Sequence, residues 1–353
     1  TPSPVSLPTS NLSPPISQSP TSQDTAWQKV LEAAKKEGKV SIYSYNWVGD
    51  IELAVKKAFE NKYGINLDII TGRGAEFVER LKTERRLNQM TGDMAEGSPA
   101  EANNMKEGGL LTPVAAELPA LRQKDVWWFH PTYLDQVDKA ILIYTQQMNT
   151  PAINTNLVKP GEEPQSWKDL LDPKWKGKMS LREPKLNAVL IVSFVALLDK
   201  NVLDENHIKA LHKQELKYVV NSIEEIRMLS RGEFYISALG SGNGLARFAT
   251  EGAPIRAVTM KEGELVSTRS VAAIANAPHP NATKVLLDWL FSPEGQSVAG
   301  KALSSLTVRK DVSDFQPQAV QTKMANPIML TQEYNEEGTK RYLDRWYDKL
   351  VGR

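Results

Sequence analysis

Residues 140–157, A-I-L-I-Y-T-Q-Q-M-N-T-P-A-I-N-T-N-L, constrain this chain more than any other stretch. Ala140 to Tyr144 form a short apolar run, long enough for a buried strand and too short for a helix. A polar segment follows, and Pro151 interrupts any regular ladder before the pattern resumes at Ile153. We read this as a crossover, a strand that leaves one lobe and enters a second. The same residues also suit a strand and loop inside one domain, so the flanking chain has to decide. If they cross over, the segments before them and late in the chain share a lobe. The middle of the chain builds the other, and the functional site lies in the cleft between.

A chain of 353 residues exceeds one ordinary core and suggests about two domains. The net charge is +1, from 43 basic and 42 acidic residues, so no global field draws nucleic acid or an acidic membrane. The apolar run from Val189 to Leu198 contains Ser193 and is too short to span a bilayer. The sequence has no cysteine, which removes disulfides, zinc–thiolate sites and thiol nucleophiles.

Pro, Ser and Thr make up 16 of the first 24 residues. Such a segment buries too little apolar surface to offset its ordering entropy, and a disordered tether is expected over 1–24. No initiator Met and no signal-type apolar segment precedes it. A spacer of this composition suits the stretch after a lipidated cysteine. The expectation is an extracytoplasmic protein, in the periplasm or on the cell surface, anchored through a residue upstream of this chain. A plain linker remains the alternative.

Folded chain is expected from Thr25. Trp27, Val30, Leu31 and Ala34 fall at helical spacing, and Gly38 suits a C-cap. Lys39 to Ser44 alternate as a strand, a helix runs from Ile51 to Tyr63, Gly64 stops it, and Ile65 to Ile70 form a second strand. This β-loop-α-β unit implies parallel strands and an α/β architecture. Gly72, Arg73 and Gly74 then open another helix, a place where free backbone N–H groups attract anions. Two glycines and an arginine can equally be a turn with a solvated charge. Trp127, Trp128 and Phe129, three in a row, cannot all face one core.

Two segments carry the most specific pattern: A-A-K-K-E-G-K-V-S-I-Y-S at 33–44, and S-W-K-D-L-L-D-P-K-W-K-G-K-M-S at 166–180 running into L-R-E-P. With G-A-P-I at 252–255, A-P-H-P-N-A at 277–282 and L-F-S-P-E-G-Q at 290–296, the chain resembles the type II extracellular solute-binding proteins of ABC importers. That group includes ferric-iron, thiamine and polyamine binders. The resemblance implies a two-lobed type II fold with mixed sheets flanked by helices and two hinge crossovers, the return one near 266–271. One lobe would take 25–142 plus about 268–310, the other 143–267, and helices from 311–353 would pack across both.

The resemblance also implies ligand contacts on loops at strand ends. Position by position these are Tyr45, Asn46 and Trp47; Gly72, Arg73 and Gly74; Ser98; Arg182, Glu183 and Asn187; Ser241 and Asn243; and Arg269 on the return crossover. The iron binders of the group carry neighbouring tyrosines after the strand that follows R-G-E, whereas residues 238–243 here read A-L-G-S-G-N. A hard ferric ion wants anionic oxygens. Three arginines with small polar loops suit a small organic or oxo anion instead, with no metal and no cofactor. Each arginine also suits a surface or interlobe ion pair. A ferric-iron binder of the same fold and a ligand-presenting sensory protein are the alternatives.

No catalytic constellation emerges. His207 and His212 lie five apart, the wrong step for one helix face, and neither G-x-G-x-x-G nor G-x-S-x-G occurs at a strand–helix junction. The expectation is a non-enzymatic monomer whose partners are a small-molecule ligand and a membrane permease, with no nucleic acid.

Overall fold

The computed structural model describes residues 22–184, 188–312 and 327–330. The expected tether ends early: Ser22, Gln23 and Asp24 form the first turn of helix α1 (Ser22–Glu37), where small polar and acidic residues favour a helix start. The rest of the tether, and most of the terminal segment 311–353 for which helices are expected, lie outside the described residues.

The chain opens as its periodicity predicts. Strand β1 (Lys39–Ser44), helix α2 (Asp50–Tyr63) and strand β2 (Asn66–Thr71) form a parallel unit. Gly64 ends α2 in the left-handed conformation (φ 68°), which costs a glycine little. Helix α3 (Gly74–Arg86) leads to strand β3 (Met94–Gly97), parallel to β1, and helix α4 (Pro99–Glu107) leads to the short strand β4 (Leu111–Thr112).

Strand β5 (Leu142–Asn154) is the long strand over the Pro151 region. Beyond it lie β6 (Met179–Arg182), α5 (Ala188–Asp199), α6 (Glu205–His212), β7 (Lys217–Val219), α7 (Ser222–Ser230), β8 (Ile236–Ser241), α8 (Gly242–Thr250) and β9 (Ile255–Ala257). Strand β10 (Leu265–Ile274) returns, followed by α9 (Pro280–Phe291), α10 (Pro293–Leu303), β11 (Leu306–Thr307) and β12 (Ile328–Met329).

The sheet runs β2-β1-β3-β10-β5-β8-β6-β7. Its ends are parallel and its middle, where β10 meets β3 and β5 and where β5 meets β8, is antiparallel. Strands β5 and β10 are the two crossovers, and their side chains divide between two cores. Leu142, Ile143 and Tyr144 of β5, with Val271 and Ala273 of β10, pack among Ile42, Phe59, Trp289 and Phe291. Ile153 at the far end of β5, with Leu265 at the near end of β10, packs among Trp167, Leu181, Phe194 and Ile236. Each crossover therefore leaves one apolar core and enters the other. The aromatic triplet splits as well: Trp127 is buried against Phe291, Phe129 is half-buried and Trp128 is exposed.

Candidate functional site

The register locates the gap between the lobes. Gly97, the last residue of β3, pairs with Ser270 of β10, and Ser270 pairs with Ile143 of β5. Ser241, the last residue of β8, pairs with Asn149 of β5. The carboxyl ends of the two parallel arrays thus approach the crossovers from opposite directions. Six residues of β5 separate them, roughly 20 Å at about 3.4 Å per residue. Open α/β sheets bind ligands beyond strand carboxyl ends. The register of β5 on β10 slips beside Arg269, so Tyr144 is a bulge, and a second slip on β8 falls at Pro151.

This short span carries an unusual set of buried polar atoms. Thr145 Oγ1 and Gln146 Oε1 on β5, and Thr268 Oγ1 and Arg269 Nε on β10, have no hydrogen-bond partner. In the second lobe, Arg182 at the carboxyl end of β6 is 2% exposed, and its Nε and Nη2 are likewise unpartnered. Its nearest carboxylate is Glu225 of α7, whose Oε2 lies 3.9 Å from Arg182 Nη1. Glu225 Oε1 accepts from the Ser180 and Ser237 hydroxyls, each at 2.9 Å, while Oε2 accepts from no group. Burial pushes the Glu225 carboxyl up, with the Arg182 charge and the two hydroxyls opposing. Buried polar groups are almost always hydrogen-bonded, so these orphans at the strand ends leave donors and acceptors open to water or a ligand.

The first-lobe wall is organised by Glu96 on β3, 3% exposed. Its Oε2 accepts from Ser44 Oγ (2.8 Å), Tyr45 N (3.1 Å) and Asn46 N (3.1 Å), and its Oε1 from Asn46 Nδ2 (2.7 Å) and Tyr144 OH (3.0 Å). One buried carboxylate thus fixes the loop after β1 and ties it to the bulged crossover. Tyr144 is buried, which raises its phenol well above the ordinary range, with Glu96 adding and Arg269 opposing.

The residues singled out from sequence fall into several places. Tyr45 is exposed, with the Arg269 guanidinium 6.0 Å from its ring centroid, and Asn46 is half-buried on Glu96. Ser241 Oγ accepts from Gln147 Nε2 at 2.6 Å, which pins the start of α8 to the crossover, and Asn243 Oδ1 accepts from Ser305 Oγ at 3.3 Å. Glu183 is half-buried with its N–H on Val219 O, and Asn187 lies outside the described residues.

Trp47 requires correction. It is 0% exposed, donates Nε1–H to Tyr144 OH at 3.1 Å and packs edge-on against that ring, so it is core rather than a ligand wall. The Ser44 hydroxyl accepts the Trp47 N–H and turns the chain inward there. The Gly72–Gly74 turn also differs from an anion cradle. The Arg73 side chain is 84% exposed, with the Glu76 carboxylate 3.9 Å away. A Cβ at Gly74 would lie 1.8 Å from Glu101 Oε1, so a larger residue there would push the Glu101 carboxylate aside. Glu101 in turn accepts from the Ser98 N–H and hydroxyl, so Ser98 serves as the cap of α4. Sequence reasoning missed Glu96, Tyr144, Gln147 and Glu225. For Glu96 a signal existed, a lone acid at the carboxyl end of an otherwise apolar strand.

Two α/β lobes, two crossover strands and a polar gap at the strand ends define a type II periplasmic binding protein. Residues 54–328 match the family model described as bacterial extracellular solute-binding protein, and the chain belongs to that family, the solute-binding components of ABC importers. An uncharacterized protein of Haemophilus influenzae is 28% identical over 266 residues, 71% of this chain and 72% of the relative. The spermidine/putrescine-binding periplasmic protein of Escherichia coli is 24% identical over 75% of this chain and 76% of its own length. Iron uptake protein A1 of Synechocystis is 30% identical over 47% of this chain and 44% of its own length. Among solved structures, Trichodesmium FutA in complex with iron and citrate superposes with a TM-score of 0.69 at 20% identity, covering 88% of this chain and all of that one. AfuA of Actinobacillus pleuropneumoniae with fructose-6-phosphate gives 0.65 at 21% identity, covering 87% and 98%.

Proposed function

We propose that this chain captures a small organic or oxo anion between its lobes and presents it, unaltered, to a membrane permease. One lobe comprises residues 25–142 and about 268–310, the other 143–267, and ligand draws them together because it binds the closed arrangement better. The observation that carries the reading is the pair of guanidinium groups, Arg182 on β6 and Arg269 on β10, with buried unpartnered N–H donors. The acid nearest the loop after β1, Glu96, is already committed to five donors. Guanidinium N–H groups suit anionic oxygens, and the solved neighbour carrying fructose-6-phosphate holds such a ligand.

Ferric ion is the second reading, favoured by the iron proteins among the relatives. Against it, Tyr144 is committed to Glu96 and Trp47, which leaves Tyr45 as the phenol at this gap among the described residues. The test is a thermal-shift screen of organic acids, oxoanions, polyamines and ferric citrate. A rise in melting temperature with an anion, reduced at least tenfold in affinity by Arg182→Ala, is expected. A rise with a polyamine or iron alone would overturn the proposal.

A further inference from the structure

The second-lobe subsite is two-faced, and this specifies its ligand more closely than charge does. Among the described residues the buried Arg182 guanidinium has no hydrogen-bond partner on Nε or Nη2, and its Nη1 stands 3.9 Å from Glu225 Oε2, beyond hydrogen-bond reach. A guanidinium has five N–H donors and no acceptor. Glu225 Oε2 is a buried acceptor that receives nothing, while Oε1 is saturated by Ser180 and Ser237. An ordinary ion pair would have closed this gap. The two serines hold Glu225 from the other side and keep it back.

A single hydroxyl oxygen could bridge the two atoms. Seated about 2.8 Å from each partner, it accepts from Nη1 and donates to Oε2 with an angle near 90° between the two. A second oxygen on the same central atom then meets Nη2, since the fork of a guanidinium matches the spacing of two oxygens of a tetrahedral oxyanion. A carboxylate or a sulfate offers Arg182 its acceptors but brings no hydrogen for Glu225, and leaves two acceptors facing each other in a buried place. Resting on the anion reading above, we propose that Arg182 and Glu225 form a subsite for a protonated phosphoryl or phosphonyl group, recognised by its P–OH as well as its charge. Glu225 is a specificity-determining residue of that subsite. It admits the anion that carries a proton and rejects the same shape and charge without one.

Inorganic phosphate and sulfate are the direct probes. Near neutral pH both present tetrahedral oxyanions, and only phosphate retains a hydrogen. Isothermal titration of the whole chain is expected to give phosphate at least tenfold tighter binding than sulfate. Glu225→Gln keeps the side-chain shape and offers an N–H where Oε2 stood, so it is expected to bring the two anions within about threefold of each other. Far-UV circular dichroism and the melting temperature without ligand check that the variant is folded. If it is not, Ser237→Ala, which frees Oε1 and lets Glu225 shift, is expected to narrow the preference in the same direction. Equal binding of phosphate and sulfate by the unmodified chain overturns the proton-reading role of Glu225 while the anion site stands. Binding of malate or citrate, lost in Arg182→Ala, with no response to phosphate overturns the phosphoryl assignment alone. No response to any anion, together with a shift on polyamine or ferric citrate, overturns the anion reading and this subsite together.

Discussion

Glu96→Gln tests how the first-lobe wall is held. The substitution preserves shape and replaces one oxygen by an amide nitrogen. Placed where Oε2 stands, that nitrogen would face three donors, Ser44 Oγ and the N–H groups of Tyr45 and Asn46. Placed where Oε1 stands, it faces two, Asn46 Nδ2 and Tyr144 OH, and this is the cheaper orientation. The Tyr144 hydroxyl can rotate to accept, and half-buried Asn46 can turn outward. What remains is three bonds to a neutral oxygen in place of a charged one, a fourth reversed so that the amide donates to Tyr144, and one lost bond, that of Asn46 Nδ2. Charged hydrogen bonds contribute about 1.5–3 kcal/mol and neutral ones about 1 kcal/mol, so each exchanged bond forfeits at least about 0.5 kcal/mol and the lost one at least about 1.5 kcal/mol; relief of the buried charge offsets part of this, and the net loss is about 3 kcal/mol. For a unit of 150–250 residues each kcal/mol shifts the melting temperature by about 2–4 °C, which gives a fall of roughly 6–12 °C. Thermal unfolding followed by circular dichroism measures it directly. A fall below about 2 °C would refute the claim that one buried carboxylate organises this loop.

Three further outcomes follow from the same structure. Gly295→Ala places a Cβ 1.9 Å from the Trp289 carbonyl oxygen, a backbone clash no rotamer relieves, and is expected to cost about 3 kcal/mol or more in urea unfolding. Arg309 is 1% exposed, bonds Phe291 O, Gln123 Oε1 and Asp311, and lies over the Trp127 ring at 4.9 Å. Arg309→Ala removes a buried side chain and takes a donor from the buried Phe291 carbonyl, while exposed Gln123 and Asp311 turn to water, and is expected to destabilise by about 2–3 kcal/mol in the same assay. Burial opposes ionisation of Glu84, but hydrogen bonds from Thr91, Tyr43 and Arg80 outweigh it and hold the carboxyl at about 2. Because the folded value is depressed, this contribution is present above about pH 4.5 and is lost as pH falls towards 2. The acid limb of a stability–pH curve should flatten in Glu84→Gln.

The strand was legible because Ala140–Tyr144 is a short apolar run and Pro151 interrupts a regular ladder, where the β5–β8 register does slip; that it crosses between lobes was legible only from the segments that flank it. The β1-α2-β2 unit was legible from its periodicity and from Gly64. Side-chain direction within a loop was not. Nothing in S-Y-N-W says that the tyrosine faces out and the tryptophan in, since that depends on the Ser44 hydroxyl and on Tyr144, 97 residues beyond Trp47. Arg73 and Arg182 look alike in sequence, each next to a strand end. Only the packing of α7 over β6 buries one, while the other stays in solvent. Glu225, in the middle of a helix pattern, carried no mark at all.

The return of β10 to the first sheet has a consequence for biosynthesis. Ser270 Oγ donates to Gly97 O across 173 positions, and Gln296 Nε2 donates to Tyr144 O across 152. The second lobe, by contrast, draws most of its strands and helices from one continuous stretch, β6 to β9. Pairings so distant must wait until the late chain has emerged, so the half synthesised first is the half finished last. Until then β3 presents an open edge, and a nascent chain threading through a membrane would need that edge shielded.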